Sequence, residues 1–136
     1  MKRTALLNAH LSALVARLGH LDEIVLCDAG LPCPPGVDVI DLAVTPGLPR
    51  IWDVLLALSS ELVIEEAIWA EEAAPGLSAR FETALSAWAG AQGSPIRHAC
   101  LTHDAFKARS GKARAIVRTG EVTPYANLIL VSGVAF

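Results

Sequence analysis

The sequence predicts a single α/β domain over residues 1–136, with three layers and helices that flank a mostly parallel or mixed central sheet. Short, β-branched apolar runs alternate along the chain with segments whose apolar residues recur at helical spacing. Clusters of proline and glycine separate these segments. The length of 136 residues is enough for one core and too short for two.

The first half of the chain predicts a helix, two strands and a second helix. Asn8 is suited to cap the first helix and Gly19 to follow its end. Strands are expected at 24–28 and 37–44, on either side of a proline-rich loop. Pro49 is suited to the first position of the second helix. The apolar faces of the two helices comprise Leu11, Leu14, Val15 and Leu18, and Ile51, Val54, Leu55 and Leu58.

The second half begins with an ambiguous segment, residues 62–69. Its alanines and glutamates favour helix, but its valine, isoleucines and tryptophan favour strand, which we predict. A third helix should follow the Pro75-Gly76 break and end near Gly90 and Gly93. The remaining expected elements are a strand at 96–101, a short helix capped by Thr102, and closing strands at 113–117 and 128–131.

The composition favours a small subunit of an oligomer. Hydrophobic residues make up 53% of the chain and charged residues only 18%. No stretch approaches the ~20 apolar residues of a membrane-spanning helix, so no membrane association is expected. The apolar run after Met1-Lys2-Arg3 stops too early for a signal peptide, which predicts a cytoplasmic protein.

Charge and cysteine content exclude other classes. The net charge of −3, with no basic cluster, argues against nucleic acid as a partner. The three cysteines form no Cys-x-x-Cys pair, so neither a disulfide framework nor a metal site is predicted. Motifs for nucleotide cofactors, serine acyl transfer and helical zinc sites are all absent.

The residues that could carry chemistry lie at predicted strand ends, where open α/β sheets bind ligands. His20 opens one strand and Asp28 closes it, while His103 follows another and Tyr125 and Asn127 precede the last. Histidine exchanges protons near neutral pH. Aspartate, tyrosine and asparagine offer hydrogen bonds suited to the hydroxyls of a small polyol.

Each candidate also has a purely structural interpretation. His20 could cap a helix end, Asp28 could organise a turn, and His103 could belong to a helix's first turn. Tyr125 and Asn127 could be loop-packing residues. Trp52, Trp69 and Trp88 could stack on sugar faces but fit a core or an interface better, and Glu65, Glu66, Glu71 and Glu72 fit a solvated or interface surface.

The spacing between His20 and Asp28 sets a geometric condition. At ~3.3 Å per residue, the eight steps between them reach up to about 26 Å if extended. The two residues can share one site only if the chain before the strand folds back or a second subunit supplies the partner.

At these residues the sequence resembles the D-ribose pyranase family, whose sister group is L-fucose mutarotase. The matching segments occur in family order over nearly the whole chain. Asp-Ala-Gly-Leu-Pro and Pro-Tyr-Ala-Asn are similar to the ribose branch. The segments are 17–20, 25–32, 40–43, 70–72, 102–103, 106–107, 118–121 and 124–130.

The resemblance implies a cofactor-independent enzyme that interconverts the pyranose and furanose forms of a pentose. His20 matches the family's proton donor. The matched sugar-binding positions are Asp28, His103, Tyr125, Ala126 and Asn127. The resemblance also implies a homopentamer or homodecamer with sites at subunit borders, which fits the apolar composition.

The sequence departs from the family pattern at few places. Residues 72–94 show little similarity, Thr4 replaces a usual glycine, and Ile51-Trp52 replaces a phenylalanine-containing pair. Because Trp52 lies in a helix whose start could border the site, the exact sugar stays open. The alternatives are an L-fucose-type or other sugar mutarotase, and a non-catalytic sugar-binding subunit associated with transport.

Overall fold

A computed structural model describes all of residues 1–136 as four helices and six strands. The helices are α1 (Ala9–Arg17), α2 (Ile51–Ser59), α3 (Pro75–Gln92) and α4 (His103–Ser110). The strands are β1 (Glu23–Cys27), β2 (Asp38–Asp41), β3 (Ile64–Ala70), β4 (Arg97–Leu101), β5 (Ala115–Arg118) and β6 (Leu128–Ser132).

All six strands form one mixed sheet in the order β2-β5-β1-β6-β3-β4. The pairs β2–β5, β1–β5 and β3–β4 are parallel. Strand β6 lies between β1 and β3 and is antiparallel to both. The carboxyl ends of the other five strands therefore meet at one edge of the sheet, together with the amino end of β6.

The sheet has a helical layer on each face, which confirms the predicted three-layer α/β class. Alternate residues of β1 point to opposite faces. Ile24 and Leu26 join the larger core with helices α1, α2 and α3. Val25 and Cys27 join a smaller core with Phe106 of α4. Both faces of β1 are thus buried, as its continuous apolar run predicts.

Most predicted elements are present, and the ambiguous segment does form a strand, at Ile64–Ala70, but the predicted start of the second helix is wrong. We expected Pro49 at the first helical position, whereas α2 begins at Ile51. The Asp53 carboxylate accepts a hydrogen bond from the Arg50 N–H at 3.1 Å, which makes Arg50 the cap residue. The proline therefore precedes the cap instead of entering the helix.

Gly19 follows the end of α1 as predicted, but it lacks the left-handed conformation that glycine often takes there. Helix α1 ends at Arg17 with Leu18 in an extended conformation. The left-handed conformation falls on Leu21, with φ of 66°, and not on Gly19. The Asp22 carboxylate accepts the Gly19 N–H at 2.8 Å, so the aspartate closes this turn.

The three tryptophan side chains pack within or against the larger core. Trp69 and Trp88 are buried in the larger core, and the Trp88 indole donates to the Leu62 carbonyl at 3.1 Å. Trp52 packs against Phe81, and the Arg80 guanidinium lies 3.9 Å from its ring centroid. None of the four helices is both long and apolar enough to cross a bilayer.

Candidate functional site

A polar cleft lies at the edge where the carboxyl ends of the parallel strands meet. Its volume is about 260 Å³, below the range typical of drug-sized ligands and suited to a smaller molecule. The cleft brings together four of the predicted site residues, Asp28, His103, Tyr125 and Asn127. Gly30, Leu31, Pro32 and Pro124 complete its lining.

Asp28 and Asn127 form a buried polar pair at the base of the cleft. The Asn127 Oδ1 accepts the Asp28 backbone N–H at 2.8 Å, and its Nδ2 donates to Asp28 Oδ2 at 3.0 Å. Asp28 Oδ1 also accepts the Gly30 N–H at 2.9 Å. The predicted turn-forming role of Asp28 is therefore real. A carboxylate has about four acceptor positions, so acceptor capacity remains for a ligand hydroxyl.

His103 and Tyr125 form a second wall of the cleft. Their rings meet edge to face, with centroids 5.1 Å apart and an interplanar angle of 86°. The His103 Nδ1 is buried without a hydrogen-bond partner. Tyr125 has a left-handed backbone, with φ of 63°, which turns the chain immediately before β6.

Ala126 occupies a different position from its neighbours. It is fully buried and belongs to the larger core, not to the lining of the cleft. Its N–H donates to the Thr123 carbonyl at 3.2 Å, which closes the turn that carries Tyr125.

Two residues that hold the cleft in shape were not singled out as site residues from the sequence. Both carboxylate oxygens of Glu72 accept the His103 N–H, at 3.0 and 2.9 Å, which fixes the start of α4. Arg118 donates to the Ala29 carbonyl at 3.1 Å and to the Asp41 carboxylate at 2.8 Å. These contacts join residues 31 to 89 positions apart in the chain, so they leave no local sequence pattern to find.

His20 lies at the other edge of the sheet and does not line the cleft. The five residues of β1 separate it from Asp28, a rise of about 16 Å. The His20 Nε2 lies 3.1 Å from Glu65 Oε2, and half of the His20 side chain is exposed. Arg97 contacts the same glutamate at 3.3 Å. Within one subunit, the predicted proton donor and the cleft are thus apart.

Ionisation states at the two edges follow from these contacts. The hydrogen bond from His20, together with Arg97, holds the pKa of the Glu65 carboxyl below its ordinary value. Burial raises the pKa of the Cys27 thiol, directly before Asp28, to about 12. The thiol therefore stays protonated and is no nucleophile at neutral pH. No group of three or more potential metal ligands is present.

The mixed sheet and its cleft define an α/β protein with a small polar cleft whose side chains can form hydrogen bonds with hydroxyl groups. Residues 1–135 match the RbsD / FucU transport protein family. The chain belongs to this family, which confirms the resemblance seen in the sequence.

Curated relatives cover the full length of both chains. The chain is 56% identical over 139 residues to the D-ribose pyranase of Aeromonas hydrophila, and 56% identical over 136 residues to that of Paracidovorax citrulli. In both comparisons the alignment covers 100% of each sequence.

Two solved structures share the fold and contain a sugar. Bacillus subtilis RbsD complexed with D-ribose is 40% identical, with a TM-score of 0.89 and 100% of each chain covered. The Streptococcus pneumoniae fucose mutarotase in complex with L-fucose is 25% identical, with a TM-score of 0.81. That alignment covers 98% of this chain and 99% of the mutarotase chain.

Proposed function

We infer that this protein is an enzyme, a D-ribose pyranase that interconverts the pyranose and furanose forms of ribose without a cofactor. The observation that carries this inference is the cleft formed by Asp28, His103, Tyr125 and Asn127. It occurs in a chain that is 56% identical, over its full length, to relatives named D-ribose pyranase. In this proposal residues 1–136 act as one ribose pyranase-like domain.

The cleft binds and orients the sugar. Asp28 is held from three directions, by Asn127 and by the Gly30 N–H, so its carboxylate presents fixed acceptors to sugar hydroxyls. His103, Tyr125 and Asn127 add polar groups around it. We assign Ala126 a backbone role, because its buried methyl group packs in the core while its N–H closes the turn.

His20 supplies the proton transfer. Ring interconversion requires the hemiacetal to open: the ring oxygen gains a proton as its bond to C1 breaks, and the anomeric hydroxyl loses one to give the aldehyde. Attack by a different hydroxyl on C1 then closes the other ring, with the reverse proton movements. Protonation of the ring oxygen by His20 is the kind of acid–base assistance that contributes about 10²–10⁴-fold.

The separation of His20 from the cleft supports a site shared between two subunits. One subunit would contribute His20 and its neighbour the cleft, as expected for a homopentamer or homodecamer with sites at subunit borders. Exposed apolar side chains such as Leu56 and Val44, which are 74% and 76% exposed, suit burial in such an assembly. Light scattering at micromolar concentration tests the oligomer, and cell fractionation tests the proposed cytoplasmic location.

Saturation-transfer NMR on ribose tests the activity directly. Wild-type protein should accelerate exchange between pyranose and furanose signals above the uncatalysed rate, and more strongly for ribose than for L-fucose. Exchange no faster than the blank would refute the enzymatic function. Faster exchange for L-fucose than for ribose would assign the protein to the fucose-type alternative.

The second candidate function is sugar binding without catalysis, in support of transport. It is favoured by the description of the family as transport proteins and by the distance of His20 from the cleft. Under this function, wild-type protein binds ribose in calorimetry but gives no exchange enhancement. The proposed enzyme shows both.

A further inference from the structure

Glu121 carries a buried carboxylate and lies beside the cleft, but it does not line the cleft. Its side chain follows β5, and only 6% of the residue is exposed. The cleft residues do not include it, so it is not positioned to contact the sugar. A buried charged group is costly unless its hydrogen bonds are satisfied, so its partners indicate what it does.

The carboxylate organises the turn that leads into Tyr125. Its Oε1 accepts the N–H groups of Val122 and Thr123, both at 3.1 Å. It also accepts the Thr123 hydroxyl at 2.8 Å. The Thr123 carbonyl in turn accepts the Ala126 N–H at 3.2 Å, so the turn is closed from both sides.

This support matters because Tyr125 has a left-handed backbone, with φ of 63°. Such a conformation is sterically unfavourable for a residue with a bulky side chain and persists only where the surroundings enforce it. Glu121 orders the chain before Tyr125, and Asn127 anchors the chain after it through Asp28.

The main chain of Glu121 holds the other wall of the cleft. Its carbonyl accepts the Ala29 N–H at 2.8 Å, immediately after Asp28. Its N–H donates to the Thr119 hydroxyl at 3.2 Å, which donates to the Cys27 carbonyl at 2.8 Å. One residue is therefore bonded to the turn that carries Asp28 and to the turn that carries Tyr125.

The neighbouring Gly120 keeps this segment close to the loop before α2. A Cβ atom at Gly120 would overlap the backbone of Leu48 and Thr45, so no larger residue fits without movement. The Gly120 N–H donates to the Pro49 carbonyl at 2.9 Å. The residue before Glu121 is therefore packed tightly against the loop before α2.

We propose that Glu121 is a positioning residue that fixes the distance between the Asp28 and Tyr125 walls of the sugar cleft. This inference rests on the proposed ribose pyranase function. Glu121 acts on sugar binding and not on the proton transfer by His20, which lies at the other edge of the sheet. Its loss should therefore raise KM and leave kcat nearly unchanged.

The test is Glu121→Met, which keeps the length of the side chain and removes the Oε1 that accepts the three hydrogen bonds from Val122 and Thr123. We expect KM for ribose, from the concentration dependence of the NMR exchange rate, to rise about fivefold or more with kcat within about twofold of wild type. The matched control is Glu82→Met, the same change on the exposed face of α3, with unchanged KM and kcat. Unchanged KM, or loss of kcat in proportion to unfolded protein, would overturn the inference.

A second pair of variants covers the case in which Glu121→Met does not fold. Thr123→Val removes only the hydroxyl bonded to Glu121 and should raise KM about twofold, while Thr123→Ser keeps that hydroxyl and should preserve KM. Equal KM for the two variants would contradict the proposal. If wild-type protein lacks exchange activity, the proposed function fails. The role of Glu121 can then still be tested by measuring the ribose affinities of the same variants by calorimetry.

Discussion

The two edges of the sheet differ in how firmly they hold their polar residues. At the carboxyl edge, Asp28 and Asn127 are buried and joined by two hydrogen bonds. At the amino edge, His20 is half exposed and has one partner, Glu65, whose side chain is 27% exposed. The first edge holds this pair by buried hydrogen bonds, whereas the second exposes its histidine.

In the proposed function, the carboxyl edge binds the sugar and the amino edge supplies the proton donor. Groups whose positions are fixed before the sugar arrives would reduce the entropic cost of binding. A proton donor that serves a neighbouring subunit must instead be exposed on the surface of its own subunit. Substitutions at the two edges should therefore have different effects on the exchange rate and on ribose affinity.

The largest effect is expected at the amino edge. His20→Ala should lower the NMR exchange rate by about 10²–10⁴-fold, because the acid–base group is lost. Ribose affinity in calorimetry should stay close to wild type, since the cleft is untouched. His10→Ala, an exposed histidine of α1, is the matched control and should keep full exchange. Equal exchange rates for His20→Ala and wild type would remove His20 from the mechanism.

Co-expression of two inactive variants tests whether the edges meet across subunits. His20→Ala and Asp28→Ala oligomers should each be nearly inactive, but mixed oligomers should regain about a quarter of wild-type exchange. One border in four would pair an intact His20 with an intact Asp28 by random assembly. Exchange in the mixture as low as in the single variants would place the complete site within one subunit.

A smaller effect is expected from breaking the buried pair at the carboxyl edge. Asn127→Ala leaves the Asp28 N–H without its partner and should lower the free energy of unfolding by about 1–3 kcal/mol. Ribose affinity should fall about ten- to hundredfold, as Asp28 loses its fixed position.

Asn8→Ala provides the comparison for that variant. It removes the cap of α1, where Asn8 accepts the Leu11 N–H at 3.0 Å, and should cost about 1 kcal/mol. Ribose affinity should not change, because the cap is outside the cleft. Equal affinity losses in the two variants would mean that Asn127 acts only through global stability.

The smallest expected effect is on the pH dependence of the free energy of unfolding, through the Glu121 carboxyl group. Burial raises its pKa, but the hydrogen bonds from Thr123, Val122 and Ile51 outweigh burial and hold the pKa below its ordinary value of 4.5. Its contribution to the free energy of unfolding is therefore complete above pH 4.5 and is lost as the pH falls through the lowered value. Urea unfolding at pH 7 and at lower pH should show a weaker acid dependence for Glu121→Gln. An identical acid dependence would show that this carboxylate does not titrate as inferred.

The sequence was sufficient to predict that the candidate residues of the cleft lie together, because their positions follow a general rule. Strand ends of α/β sheets collect polar groups at one edge, and Asp28, His103 and Asn127 follow that rule. The strand at 62–69 could also be predicted, since a return from α2 was needed. The family roles of His20 and the cleft residues came from the resemblance and stay predictions here.

Other features could not be predicted because they depend on partners far away in the chain. The placement of β6 between β1 and β3 follows from no local pattern. The hydrogen bond from the His103 N–H to Glu72 joins residues that follow two neighbouring strands, β4 and β3, so Glu72 was interpreted as a surface residue. The start of α2 depends on Asp53, whose capping bond outweighs the helix-start preference of Pro49.

The position of β6 also has a consequence for how the protein folds. The sheet consists of a β2-β5-β1 part and a β3-β4 part, which are joined only by β6, the last strand to be synthesised. The Asp28–Asn127 pair links residues 99 positions apart, a contact of high sequence separation that forms slowly. In a nascent chain that lacks β6, no strand pairing therefore joins the part that carries Asp28 to the part that carries His103, and we expect sugar binding only when synthesis is nearly complete.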